Sequence, residues 1–126
     1  SFIDGAREAA NGVVFPAGRR IFAEQHPQEA PQKETLLKYA EDFRAKYDED
    51  PDTFGGHGWD AVQLVVKGLR EAGEDKEGIR SAIEATTDFV GIGGIFNYSA
   101  EDHYGLTADA FVMVKIEDGE WKLLQE

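Results

Sequence analysis

The sequence predicts an α/β fold in the order strand, three helices, then two or three strands. Three observations predict it. Apolar residues recur at helical spacing over 32–47 and again over 54–72. The period then shortens, and Phe111-Val112-Met113-Val114-Lys115-Ile116 reads as a strand. Finally, Asp118-Gly119 stands between that run and Trp121-Lys122-Leu123-Leu124, a hairpin signal. A terminal hairpin is weak alone, and the chain supplies few other strands. The pattern therefore reads as part of a larger α/β protein.

Composition narrows the function. The 126 residues suffice for one domain with a moderate core. A net charge of −12 and a pI near 4.6 argue against nucleic acid and against an anionic membrane surface. The densest acidic run, Asp48-Glu49-Asp50-Pro51-Asp52, reads as a solvated loop. The chain has no cysteine, which excludes disulfides, thiol nucleophiles and thiolate metal sites. No apolar run approaches the roughly 18 residues of a membrane span. No signal peptide is visible, and the first residue is Ser1 rather than methionine. We expect a processed or partial product, so a missing signal peptide does not bear on export.

Taken in order, residues 2–10 look like a short helix or helix end. Val13, Val14 and Phe15 predict a buried strand, closed by a turn at Pro16-Ala17-Gly18. Residues 21–30 look irregular, with Pro27 and Pro31 bracketing a polar loop. From Gln32 to Tyr47 a helix places Leu36, Leu37, Ala40, Phe43 and Tyr47 on one face. A second helix runs from Phe54 to Ala72, with Gly73 as its C-terminal cap. A third starts near Lys76, is capped by Asp75, and buries Ile79, Ala82, Ile83 and Thr86. Phe89 to Phe96 (FVGIGGIF) suggests a strand with a bulge or close packing. Asn97 to Asp109 is a long polar loop.

One stretch organises the rest: Thr53-Phe54-Gly55-Gly56-His57-Gly58-Trp59-Asp60-Ala61-Val62. A threonine able to cap a helix is followed by three glycines within four positions. Missing side chains at a helix start allow another group to approach the backbone closely. Unpaired amides there favour an anionic or polar group. The bland alternative is that the glycines only admit another part of the protein. Trp59 reads as core, whereas Phe54 lies at the exposed end.

His57 and Asp60, three residues apart, could share a face and orient each other for acid–base work or metal binding. No nucleophile or third ligand accompanies them, so a polar contact or a capping role is the better reading, and no enzyme is expected. Glu101, Asp102 and His103 form a second cluster, in a loop where neighbours point apart. Gly91-Ile92-Gly93-Gly94 lacks the Lys-Ser/Thr of a phosphate loop, and Phe96 stands where a dinucleotide fingerprint needs glycine. No cofactor or metal is expected. Asn97-Tyr98-Ser99 matches a glycosylation acceptor, a triplet common by chance.

The run from Asp50 to Leu64 resembles the "P-x-x-F-x-x-H-x-Y-D-A" signature of the branched-chain amino acid (Leu/Ile/Val) binding proteins, with Trp59 replacing the tyrosine. These are solute receptors of ABC importers with the type I periplasmic-binding-protein fold, two Rossmann-like lobes joined by hinge crossings. Other pieces fall in the family's order. Residues 12–18 (GVVFPAG) resemble the strand that reaches the inter-lobe hinge, and 43–47 (FRAKY) the helix end before the signature. Residues 79–86 (IRSAIEAT) are similar to the "IRDALEAT" helix, and 91–99 (GIGGIFNYS) to the "G-x-x-G-x-F-x-F" strand. Residues 111–121 resemble the terminal hairpin.

Members are roughly three times as long, so the resemblance implies the C-terminal third of such a protein. It implies that about 1–18 and 111–126 belong to the C-terminal lobe and about 19–110 to the N-terminal lobe. Pro16 to Arg19 and Phe111 to Met113 become hinge candidates. The family's main ligand clamps lie upstream of Ser1 and cannot be carried over. Phe54, Gly55, Gly56 and His57 become the candidate ligand-binding residues. The implied partners are a small molecule (an amino acid or a small aromatic or aliphatic carboxylate) and the membrane permease of an ABC transporter, in the periplasm or another extracytoplasmic space. Gly55 and Gly56 are expected to leave room for a larger apolar group. A ligand-sensing domain of a receptor or regulator is the alternative, and a small enzyme using His57 and Asp60 a weaker one. Surfaces meant for missing partners would be exposed, so the chain is expected to be dimeric or domain-swapped.

Overall fold

A computed structural model describes residues 2–124. A short helix α1 (Phe2–Ala6) and a 3₁₀ turn lead into strand β1 (Val14–Gly18). Helices α2 (Lys33–Tyr47), α3 (Thr53–Ala72) and α4 (Lys76–Glu84) follow. Four strands close the order: β2 (Phe89–Val90), β3 (Ile95–Phe96), β4 (Phe111–Glu117) and β5 (Glu120–Leu123).

The larger sheet has the order β1-β4-β5, all antiparallel. Period-2 alternation in β4 turns Val112, Val114 and Ile116 inward and leaves Phe111 and Met113 exposed. Asp118 and Gly119 both take positive φ, 53° and 76°, which suits the two-residue turn joining β4 to β5. Two strand expectations need correction. β1 runs through Pro16 to Gly18 rather than turning there, and Val14 and Pro16 are exposed. It is an edge strand paired only with β4, where a proline's missing N–H is tolerated. The 89–96 segment is not one bulged strand. It is a tight hairpin, β2 against β3, with residues 91–94 as its turn.

The core has two parts. Ala17, Phe22, Val112 and Val114 form one under the sheet, closed by Phe15 edge-on to Trp121 at 5.0 Å. Ala23, Leu36, Tyr39 and Ile92 form the other among the helices, with Phe43 and Trp59 packed against it. Phe22 and Ala23 are consecutive, so the irregular segment after β1 ties the two parts together. Tyr39 belongs to the buried face of α2, while Tyr47, expected there, is exposed. Trp59 is half-buried rather than enclosed. α4 packs on α3 along one side only, so Ile79, Ala82 and Ile83 are half-buried, whereas Thr86 beyond its end is fully buried.

Candidate functional site

The site is built on the first turns of α3. Asp52, not Thr53, caps the helix: its Oδ1 accepts the Gly55 N–H at 2.6 Å. A carboxylate there also suits the positive end of the helix dipole. Thr53 instead lies against Gly18, its Cγ2 4.0 Å from where a Gly18 Cβ would stand. The start of α3 is thereby placed beside the end of β1, where the chain leaves the sheet.

Two turns of helix geometry then sort the next residues. Gly56, Asp60, Leu64 and Gly68, four apart, form the buried face of α3. Asp60 is 3% exposed, and its carboxylate accepts two backbone N–H groups, from Ile92 at 2.6 Å and Gly93 at 2.7 Å. Burial raises its pKa, while those two hydrogen bonds and nearby His57 pull it back down. The 91–94 turn is therefore riveted to α3. This is why 89–96 does not run as a continuous strand: the amides of Ile92 and Gly93 are spent on Asp60 rather than on a ladder.

The four candidate residues divide. Phe54 is 85% exposed. His57 is exposed, with its ring over Gly93; a Cβ on Gly93 would stand 2.9 Å from both Cε1 and Nδ1. Gly55 is exposed on one side, but a Cβ there would stand 2.9 Å from the Tyr39 hydroxyl. Gly56 is buried, and any side chain on it would collide with Ile92. The space expected beside Gly55 and Gly56 for a larger ligand is thus occupied by Tyr39 and Ile92. Those two glycines serve packing; Phe54 and His57 form the outward surface, with the Gly93 backbone beside them.

Sequence reasoning placed Asp60 next to His57 but did not foresee its hold on the 91–94 turn. The signal was present, since a carboxylate four residues after Gly56 shares its face and the glycine-rich turn needs an acceptor. Tyr39 was missed too, although it lies three residues after Leu36 and one before Ala40. The second acidic cluster does not converge. Asp102 Oδ1 accepts the Tyr104 and Gly105 amides, while His103 Nε2 lies 3.2 Å from Glu84. Among the described residues no group of three His, Asp or Glu side chains is placed to hold a metal, and no helix is long and apolar enough to cross a membrane.

The ends of β1 and β4 lie side by side near the start of α3. Gly18 pairs with Phe111 across β1 and β4. Arg19 Nε donates to the Asp109 carbonyl at 2.6 Å, tying the two strand ends together.

Residues 4–120 match the family model described as periplasmic binding protein. The chain belongs to the periplasmic binding protein family. Its fold is part of the type I periplasmic-binding-protein fold. An extracellular ligand-binding receptor from Rhodopseudomonas palustris HaA2 is similar, with a TM-score of 0.85 at 23% identity, over 98% of this chain and 37% of that one. The leucine binding protein LivK from Thermotoga maritima MSB8 has a TM-score of 0.66 at 25% identity, over 98% of this chain and 33% of that one. An ABC transporter substrate-binding protein from Desulfitobacterium hafniense, in complex with Leu, has a TM-score of 0.65 at 21% identity, over 91% and 32%. This chain thus spans about a third of the length of the solved relatives it matches. No curated protein matches it.

Proposed function

We propose that this chain is the C-terminal part of an extracytoplasmic solute receptor of an ABC importer. The whole protein closes two lobes on an amino acid or a small aromatic or aliphatic carboxylate and hands it to a membrane permease, without chemistry. The single observation that carries this reading is the outward surface at the start of α3. Exposed Phe54 and His57 sit on a helix start fixed from behind by Asp60, beside the paired strand ends at Gly18 and Phe111. A rigid, partly aromatic rim at a two-strand crossing suits hinge-type capture.

In this reading 19–110 belongs to one lobe, and 1–18 with 111–126 to the other. Support comes from the adjacency of β1 and β4, which brings both crossings to one place. The segment Phe54, Gly55, Gly56, His57 lines the cleft, with Phe54 and His57 touching ligand and the two glycines setting the approach of Tyr39 and Ile92. The leucine named with two of the structural relatives supports the ligand class. Acid–base chemistry at His57 and Asp60 finds no support, because each Asp60 oxygen already accepts a backbone amide.

Isothermal titration of the full-length gene product with L-leucine and with benzoate tests the reading. Saturable binding of either ligand supports a solute receptor. Binding of neither, alongside no response to other amino acids or small carboxylates, removes it.

A further inference from the structure

A cavity of about 450 Å³ is bordered by Arg19, the 26–32 segment and the loop before β4. None of Phe54, Gly55, Gly56 or His57 lines it. His26 and Gln32 do, and they are only 4% and 5% exposed.

Each of these buried side chains has one polar atom engaged and one free. Gln32 Nε2 donates to the Gly91 carbonyl at 2.8 Å, which orients the amide and leaves Oε1 as an open acceptor. His26 Nε2 lies 3.0 Å from the Arg19 carbonyl. A carbonyl only accepts, so Nε2 carries the proton and Nδ1 of the neutral ring is an acceptor. Burial lowers the ring's pKa, the bond to the Arg19 carbonyl opposes this, and the positive charges of Arg19 and Lys33 add to the lowering. Among the described residues the only fully enclosed side-chain polar atom without a partner is Arg20 Nε. The free atoms of Gln32 and His26 are therefore open, and the cavity is the space both residues border.

Donors border the same space. Asn97 Oδ1 accepts the Asp88 amide at 2.9 Å, leaving its NH₂ free. Arg19 spends Nε on the Asp109 carbonyl and forms no ion pair among the described residues, so its terminal N–H groups are uncommitted. Ile95 and Leu106 supply apolar wall. Asp109 borders the same cavity, its exposed carboxylate 3.5 Å from the Thr107 hydroxyl.

We propose that this cavity is a second small-molecule site, taking a short carboxylic acid whose neighbouring carbon bears a hydrogen-bond donor. The carboxylate pairs with the Arg19 guanidinium, a fork that suits it. The donor, a hydroxyl or an ammonium, points inward to Gln32 Oε1 and His26 Nδ1. The size fits: small-ligand pockets run from about 300 to 1,000 Å³. Through Gln32 the site touches Gly91, the first residue of the turn that Asp60 holds.

The test is amide chemical-shift titration of the ¹⁵N-labelled full-length gene product with L-lactate, L-alanine and propionate. The expected result is saturable shifts at the Gln32 and Asn97 side-chain amides and at Leu106, with lactate, alanine or both. Lactate alone identifies the hydroxyl acid as ligand, and alanine alone the amino acid. Propionate, lacking the donor, is expected to bind at least about tenfold more weakly. Folded Arg19→Leu is expected to lose saturation. Equal affinity for propionate, shifts confined to 54–57, no saturable shift, or unchanged binding in folded Arg19→Leu each overturns the proposal. If Arg19→Leu does not fold, the three-ligand comparison on the native chain decides alone. Leucine binding by the full-length protein at Phe54 and His57 is a separate readout, so either site can fail without the other.

Discussion

The carboxylate of Asp60 holds the amide of Ile92 at 2.6 Å, joining the second turn of α3 to a turn 32 residues later. With its second bond, to Gly93, it is the main polar tie between the helices and the β2–β3 hairpin. Asp60→Ala leaves two buried N–H groups without acceptors. At about 1–3 kcal/mol each, the expected loss is roughly 2–6 kcal/mol in urea unfolding. Asp60→Asn, which retains one acceptor, is expected to lose less. A change under about 0.5 kcal/mol in Asp60→Ala would show that water replaces the carboxylate without penalty.

The contact of Gly56 with Ile92 gives a coupled pair. Gly56→Ala places a methyl into the space of the Ile92 side chain, and overpacking of this kind costs about 1–3 kcal/mol. Ile92→Ala opens a cavity at a residue that is 2% exposed, costing about 2–5 kcal/mol. The double variant is expected to lose clearly less than the sum, because each change accommodates the other. Strict additivity in denaturant melts would mean the two residues do not share the space.

These two pairs also show what was legible from sequence. The helices, the terminal hairpin and the Asp118-Gly119 turn followed from periodicity and turn chemistry, because those signals are local. The 89–96 hairpin did not. Its shape depends on Asp60, 32 residues away in sequence, and β-branched residues with glycine fit a bulged strand equally well. Gly56 reads the same in sequence whether a ligand or Ile92 fills the space beside it; only the packing of the turn on α3 decides. Pro16 looked like the end of a strand, but an edge position removes the objection to a proline.

The pH response has a defined sign. Burial lowers the pKa of His26 in the fold, despite the opposing bond to the Arg19 carbonyl. Its contribution is complete above the unfolded value, about 6.5, and is lost as pH falls below that, since the unfolded chain takes the proton first. Asp60 acts oppositely: its pKa is raised, so its contribution is present below about 3.9 and is lost as pH rises through the folded value. Urea midpoints at pH 7.5 and 5.5 are expected to fall for the native chain and to fall less for His26→Gln. Equal slopes for the two would remove His26 as the source.

The outer face of the larger sheet carries Val14, Phe111 and Met113, exposed by 47%, 55% and 46%. With Pro16 they form a continuous apolar strip across β1 and β4. Such a strip favours association. Light scattering at micromolar concentration is expected to show dimers or larger species for this chain alone, shifted toward monomer by Met113→Lys. A monodisperse monomer of the native chain would contradict it.

In the proposed receptor, ligand rests on the α3 rim at Phe54 and His57. The most direct test is the dissociation constant of the full-length gene product for its best small ligand, measured for the native protein, Phe54→Ala and His57→Ala. Both side chains are exposed and outside the core, so melting temperatures should stay within a few degrees. At least one variant is expected to bind about tenfold or more weakly, a loss of roughly 1.4 kcal/mol. Unchanged affinity in both variants, with the fold intact, would contradict the placement of the ligand at this rim.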